Sequence, residues 1–242
     1  MVSTQQTAHG GAEESPLSPY SAGREITVVI PCYFVNDELV EMTVGCVNSL
    51  IETALDDLNQ ILIIDDGSPI ELNLVDEINF VSKITVLRKE NNGGYSSASN
   101  MGLFHADGDI IVLGNNDITF TEGWLDGLLG VLDEGYDIAT CWTSDQDVKF
   151  EDRIEENAKF GSLWAMKRSV YETVGPFDEQ FRGYFTDLDY RHRALDAGFK
   201  IGKNLNCVVE HLAKATYEQT DPNDDEYLKA MRLYEIKYGA VE

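Results

Sequence analysis

Ile61-Leu62-Ile63-Ile64-Asp65-Asp66-Gly67-Ser68 is an unbroken apolar run that stops at two carboxylates, a glycine and a hydroxyl. The apolar part fits a strand buried on both faces, as strands of parallel sheets are. The same phrase recurs on either side. Ile26-Thr27-Val28-Val29-Ile30 ends at Pro31, Ile84-Thr85-Val86-Leu87 is a third buried run, and Ile110-Ile111-Val112-Leu113 ends at Gly114-Asn115-Asn116-Asp117. Between the runs the period changes. Leu39, Thr43, Cys46, Val47, Leu50, Ile51 and Ala54 recur at helical spacing after a cap at Asn36 or Asp37. The turn Asn91-Asn92-Gly93-Gly94 leads into a helix through Ala98, Met101 and Phe104, and Leu125, Leu128, Leu129 and Leu132 mark another. Strands alternating with helices predict crossover connections and a mainly parallel, Rossmann-like α/β sheet. The polar clusters sit at strand C-terminal ends, where open α/β sheets bind ligands.

The second half is less regular. Strands are expected at 138–142, 161–166 and 208–209, helices from Arg168 and near Asp187, and an amphipathic helix from Asp224 to Tyr238. The acid-rich residues 144–159 read as an exposed loop. Residues 1–24, rich in Ser, Gly and Gln, read as a disordered or extended tail. The rest, 25–242, reads as one domain: a donor half at 25–120, an acceptor half at 121–215 and a C-terminal helix within 216–242.

The chain has 242 residues, enough to bury one substantial core. Its 18 Lys plus Arg against 43 Asp plus Glu leave a net charge of -25, which repels phosphate backbones and argues against nucleic acid as a partner. An anionic ligand would need a local device, such as a divalent cation or a helix N-terminus. Cys32, Cys46, Cys141 and Cys207 show no Cys-x-x-Cys spacing and read as buried thiols. No run approaches the ~20 apolar residues of a bilayer span, and no basic-then-apolar leader opens the chain, so a cytoplasmic location is expected.

Each polar cluster admits a chemical and a plain reading. Asp65 and Asp66 could accept from a base or ribose, although Asp-Gly-Ser is good turn chemistry anywhere. Gly93 and Gly94 let backbone approach a ligand, and the helix after them could offer free N–H groups to an anion. Asp117 could hold Mg2+ or Mn2+ with a diphosphate, or simply end a strand. Asp187 at a helix start could take a proton from a hydroxyl, or cap the helix. Asp189 would then turn away to Arg193. His211 could complete a cation site beside Asp117, though a lone His is more often structural. His105 and His192 read as surface or packing residues.

In this order the clusters resemble the family-2 class of inverting GT-A glycosyltransferases over about residues 25–215. The carrying segments are 26–33, 63–68, 92–102, 113–117, 161–168, 174–179 and 184–193. The resemblance implies a GT-A fold, a nucleotide-diphosphate sugar donor, a glycan or other hydroxyl acceptor, and Mn2+ or Mg2+ as cofactor. It places Pro31 and Tyr33 in the nucleoside pocket, Asp65 or Asp66 on the base or ribose, and Gly94 and Asn100 on the segment over the nucleotide. Asn115 and Asp117 take the outer positions of the metal motif around Asn116, Asp187 matches the general base, and His211 a histidine of the metal or diphosphate site. Two positions depart from the pattern: Asn115 stands where the first metal-motif Asp is usual, and Thr186 where Glu is frequent. A nucleotidyltransferase would put Gly and Lys after the first strand, where Pro31-Cys32-Tyr33-Phe34 stands. A non-catalytic sugar- or nucleotide-binding protein is the other alternative, and Asn115 is its one support. No Gly-x-Gly-x-x-Gly follows the first strand, against a dinucleotide dehydrogenase.

Overall fold

The computed structural model describes residues 18–70, 82–212 and 225–239. Its strands are β1 (Ile26–Cys32), β2 (Gln60–Asp65), β3 (Ile84–Arg88), β4 (Ile110–Gly114), β5 (Ile118–Thr119), β6 (Ile138–Thr143), β7 (Ile154–Glu156), β8 (Leu163–Lys167) and β9 (Ile201–His211). Its helices are α1 (Asp37–Ala54), α2 (Tyr95–His105), α3 (Trp124–Asp133), α4 (Arg168–Val174), α5 (Thr186–Asp196) and α6 (Asp225–Tyr238). The strands form one sheet in the order β3-β2-β1-β4-β8-β6-β9-β5, with β7 on β9.

The first four strands pair in parallel, as their buried runs predict. Beyond β4 the pairing is mixed. β8 runs antiparallel to β4 and β6, and β5 and β7 run antiparallel to β9. β1, β2, β3, β4, β6 and β9 therefore share one direction, and β5, β7 and β8 oppose it. Alternating side chains divide the core between the faces. Val28 and Ile30 pack with α1 and α3, while Val29 packs with α2, α4 and α5. Asn36 caps α1 by accepting from the Leu39 N–H at 3.0 Å.

Several sequence expectations need correction. β1 continues through Pro31, because β4 pairs only as far as Val29 and Pro31 needs no donor on that side. β3 is a half-exposed edge strand, not a buried one. The acid-rich stretch carries β7, which covers the β9 edge. β9 is far longer than a two-residue strand. Its pairing with β6 skips from Cys141↔Asn204 to Trp142↔Val208, a bulge that redirects the strand end carrying His211. Of the expected tail, residues 1–17 lie outside the described residues. Ser18 and Ser21 are buried, with the Ser18 N–H donating to Asp57 Oδ1 at 2.9 Å. The four cysteines are free and buried.

In the order β2-β1-β4 the chain switches sides between β1 and β4, and a crevice opens at the carboxyl ends of such neighbours. Among the described residues no helix is long and apolar enough to cross a membrane.

Candidate active site

The crevice is a cavity of about 1000 Å³. Its lining includes Pro31 and Tyr33 from the end of β1, Asp66 after β2, Gly94 before α2, and Asn115, Asn116 and Asp117 after β4. Asp187 of α5 and His211 of β9 line it as well. Nine of the residues singled out in the sequence thus converge on one space.

The other two do not reach it. Asp65 is buried, pairs with Arg88 at 2.7 Å and accepts the Ser68 N–H at 2.8 Å. It holds the turn after β2. Asn100 accepts the Phe177 N–H at 2.7 Å and donates to the Phe177 carbonyl at 3.1 Å, tying α2 to the segment before α5.

Asp66 works on the loop beside it. Its carboxylate accepts from the Gly93 N–H at 3.0 Å and the Gly94 N–H at 2.7 Å, and pairs with Lys89. The Ser96 N–H goes to the Arg182 carbonyl at 3.3 Å. The helix-start amides expected to meet an anion are therefore spent on protein at these three positions. Gly94 is required where it stands. Its φ is 88°, and a Cβ there would lie 2.6 Å from the Arg182 carbonyl oxygen.

Asn116 turns toward α1 and donates to Thr43 Oγ1 at 2.8 Å. Asp117 is 5% exposed. The pairing of Ile118 with His211 across β5 and β9 brings the imidazole against it, with Nε2 3.2 Å from Asp117 Oδ1. That oxygen is buried without a hydrogen bond. On the ring's far side Nδ1 lies 3.1 Å from Asp145 Oδ1, and Ser162 Oγ lies 3.0 Å from Nε2. Burial pushes the His211 pKa down, but Asp117 and Asp145 outweigh it and hold it above the ordinary histidine value. Asp145 itself is raised by burial, then carried below the usual carboxylate value by hydrogen bonds from Thr143 and His211. In the neutral tautomer that donates Nδ1–H to Asp145, Nε2 is free of its proton and can share a cation with Asp117 Oδ1. A carboxylate behind a histidine is the usual support for a metal-ligating imidazole.

These residues fit a hard divalent cation. Neighbouring ligands of an octahedral ion with ~2.1 Å bonds stand roughly 3 Å apart, close to the 3.2 Å between Asp117 Oδ1 and His211 Nε2. Among the described residues no group of three or more His, Cys, Asp or Glu could hold a metal alone. Such an ion would complete its shell with oxygens from outside the protein, as Mg2+ does at phosphate sites.

Asp187 is half-buried in the first turn of α5. Burial raises its pKa above the ordinary aspartate value, against the Leu188 and Asp187 backbone N–H groups and Lys159. Asp189, two residues on, points away to Arg193 at 2.8 Å, as its spacing predicts. His105 is exposed and His192 stacks on Tyr238. Trp164 is a core residue, stacked on Phe160 at 4.5 Å between ring centroids.

Nothing in the sequence marks Asp145, hidden in a run of acids, as a partner of His211. Nor does the sequence show that Asp225, Glu226 and Lys229 of α6 line the cavity.

A family model described as glycosyl transferase family 2 matches residues 27–186. Glycosyltransferase GlyG of Streptococcus pneumoniae is 30% identical over 105 residues, 43% of this chain and 33% of that protein. A dolichol-phosphate mannosyltransferase of Pyrococcus furiosus is 30% identical over 117 residues, 48% of this chain and 32% of that protein. Each match thus spans about a third of the relative's length. The mannosyltransferase PcManGT of Pyrobaculum calidifontis, solved with GDP-Man and Mn2+, superposes with a TM-score of 0.68 at 16% identity. The superposition covers 95% of this chain and 70% of that one. At that identity the likeness shows the fold, which is the GT-A fold.

Proposed function

The chain belongs to glycosyl transferase family 2, and from that premise we propose that it moves a sugar from a nucleotide-diphosphate donor to an acceptor hydroxyl with inversion. One observation carries the proposal: Asp117, with an unsatisfied buried oxygen, and Asp187, with a raised pKa, line the same cavity. The two groups suit opposite ends of a displacement.

At one end Asp187 takes the proton of the acceptor hydroxyl. A carboxylate raised by burial is a stronger base than one in water, which suits that task. The acceptor oxygen forms its bond to the anomeric carbon as the bond from that carbon to the diphosphate oxygen breaks. The electron pair leaves on the nucleoside diphosphate, opposite the attack. Asp117 and His211 would hold Mn2+ or Mg2+, which when bound offsets the charge of the leaving diphosphate. Asp145 keeps the His211 ring oriented for that role. Pro31, Tyr33 and Asn115 line the wall that receives the nucleoside and diphosphate, and Asp66 shapes it by fixing the Gly93–Gly94 turn. GDP-Man and Mn2+ in the superposed mannosyltransferase support a nucleotide sugar and a divalent ion.

Incubation with UDP-, GDP- and dTDP-sugars, a divalent ion and hydroxyl acceptors tests the proposal. Released nucleoside diphosphate and a β-linked product from an α-linked donor are expected. A product of retained configuration contradicts the mechanism, and no release from any donor contradicts the function.

A further inference from the structure

Helix α6 lies beyond residues 27–186, which the family model matches, yet its first turn lines the active site and its last turn grips α5 and the segment before it. At its start Asp225, Glu226 and Lys229 line the cavity. The Tyr227 ring meets Tyr184 edge-on at 5.1 Å between centroids and lies 5.4 Å from Phe185. Tyr234 packs on Phe185 at 5.2 Å. At its far end Lys237 Nζ donates to Asp178 at 2.9 Å and Asp189 at 2.6 Å, and the Tyr238 hydroxyl donates to Asp189 at 2.7 Å.

Asp187 sits between the two residues that α6 grips. Phe185, two residues before it, has φ 63°, a left-handed conformation that bulky residues adopt only when their surroundings hold them there. The rings of Tyr227 and Tyr234 supply that hold. Asp189, two residues after it, is buried and fixed by Lys237, Tyr238 and Arg193. We propose that α6 is a clamp that positions Asp187 and keeps water from it, with Tyr227 and Lys237 as its positioning residues. The proposal rests on Asp187 being the base. The charged and titratable groups acting on Asp187 from elsewhere are Lys159, before β8, and Tyr95 on α2. Asp225, Glu226 and Lys229 of α6 line the same cavity, so loosening the helix admits water to Asp187 and withdraws a net negative charge, and both changes lower its pKa.

The test uses the intact chain with aspartate carboxyl carbons labelled for NMR, and Asp187 assigned by its loss in Asp187→Asn. In the parent chain burial should hold the Asp187 titration above the ordinary value of about 3.9. Tyr227→Leu and Lys237→Met should each bring it down toward that value, and Lys237→Arg should restore it. Hydrogen exchange across residues 225–238 reports docking independently. Faster exchange there with an unmoved Asp187 titration overturns the clamp. So does unchanged exchange in both variants, or an ordinary titration in the parent chain. Failure of the base assignment shows separately, as undiminished transfer from UDP-, GDP- or dTDP-sugars by Asp187→Asn.

Discussion

Asp187 carries a cost that the rest of the site justifies. Its pKa is raised by burial, so the folded state favours the protonated form. Its contribution to stability is present below the unfolded value of about 3.9 and is lost as pH rises through the higher folded value. Asp187→Asn should therefore match or exceed the parent chain in Tm at pH 7, and lose that advantage near pH 3. Scanning calorimetry at both values checks this. The same substitution should lower kcat by ~10²–10⁴-fold, the usual worth of a general base. Steady-state rates with any accepted donor measure it, and their acid limb should lie above pH ~4 because the base must be ionised. Which aspartate does what was legible only in part. The spacing of Asp189 and Arg193 was enough to send Asp189 away from the cavity. Nothing local separates Asp65 from Asp66, because the distinction is made by Arg88 and by the Gly93–Gly94 amides, far along the chain. Asp145 gave no signal, since its partner His211 is 66 residues away.

At the scale of elements, buried runs with helical spacing between them predicted the parallel half of the sheet. The antiparallel half was not legible, because β8 reads like any buried strand and its direction is set by what it pairs with. Tight helix–strand packing is a second element-scale property. A Cβ on Gly102 of α2 would fall well inside contact distance of the Val29 side chain on β1. Gly102→Ala should destabilise by about 1–3 kcal/mol through overpacking, despite its better helix propensity. Urea unfolding checks this, and an unchanged midpoint would mean that α2 has room to shift. The α6 clamp should be acid-sensitive. Burial raises the Asp178 pKa, but hydrogen bonds from Lys237 and from Gln180 carry it below the ordinary value. That contribution is present above the unfolded value and is lost as pH falls through the folded one. Protection factors across residues 225–238, with the slower intrinsic exchange in acid divided out, should fall as the pH is lowered below ~4, before global unfolding.

For the whole molecule, a net charge of -25 means self-repulsion in every compact state. Screening shortens its reach from roughly 30 Å at 0.01 M salt to 3 Å at 1 M. Tm should rise across that range in NaCl, and a flat response would show that the charges are already compensated locally. The same field makes a diphosphate unwelcome unless a cation mediates, which ties the molecule's charge to the arrangement of Asp117 and His211.

Calorimetric titration of UDP, GDP and dTDP into the parent chain, Asp117→Ala and Asp187→Asn, each with Mn2+ and with EDTA, puts that arrangement to the most direct test. One nucleotide should bind the parent chain in Mn2+ and lose about tenfold or more in affinity with EDTA or in Asp117→Ala. It should keep its affinity in Asp187→Asn. Equal binding with and without the ion and the Asp117 carboxylate, or no binding by any of the three, would contradict the account.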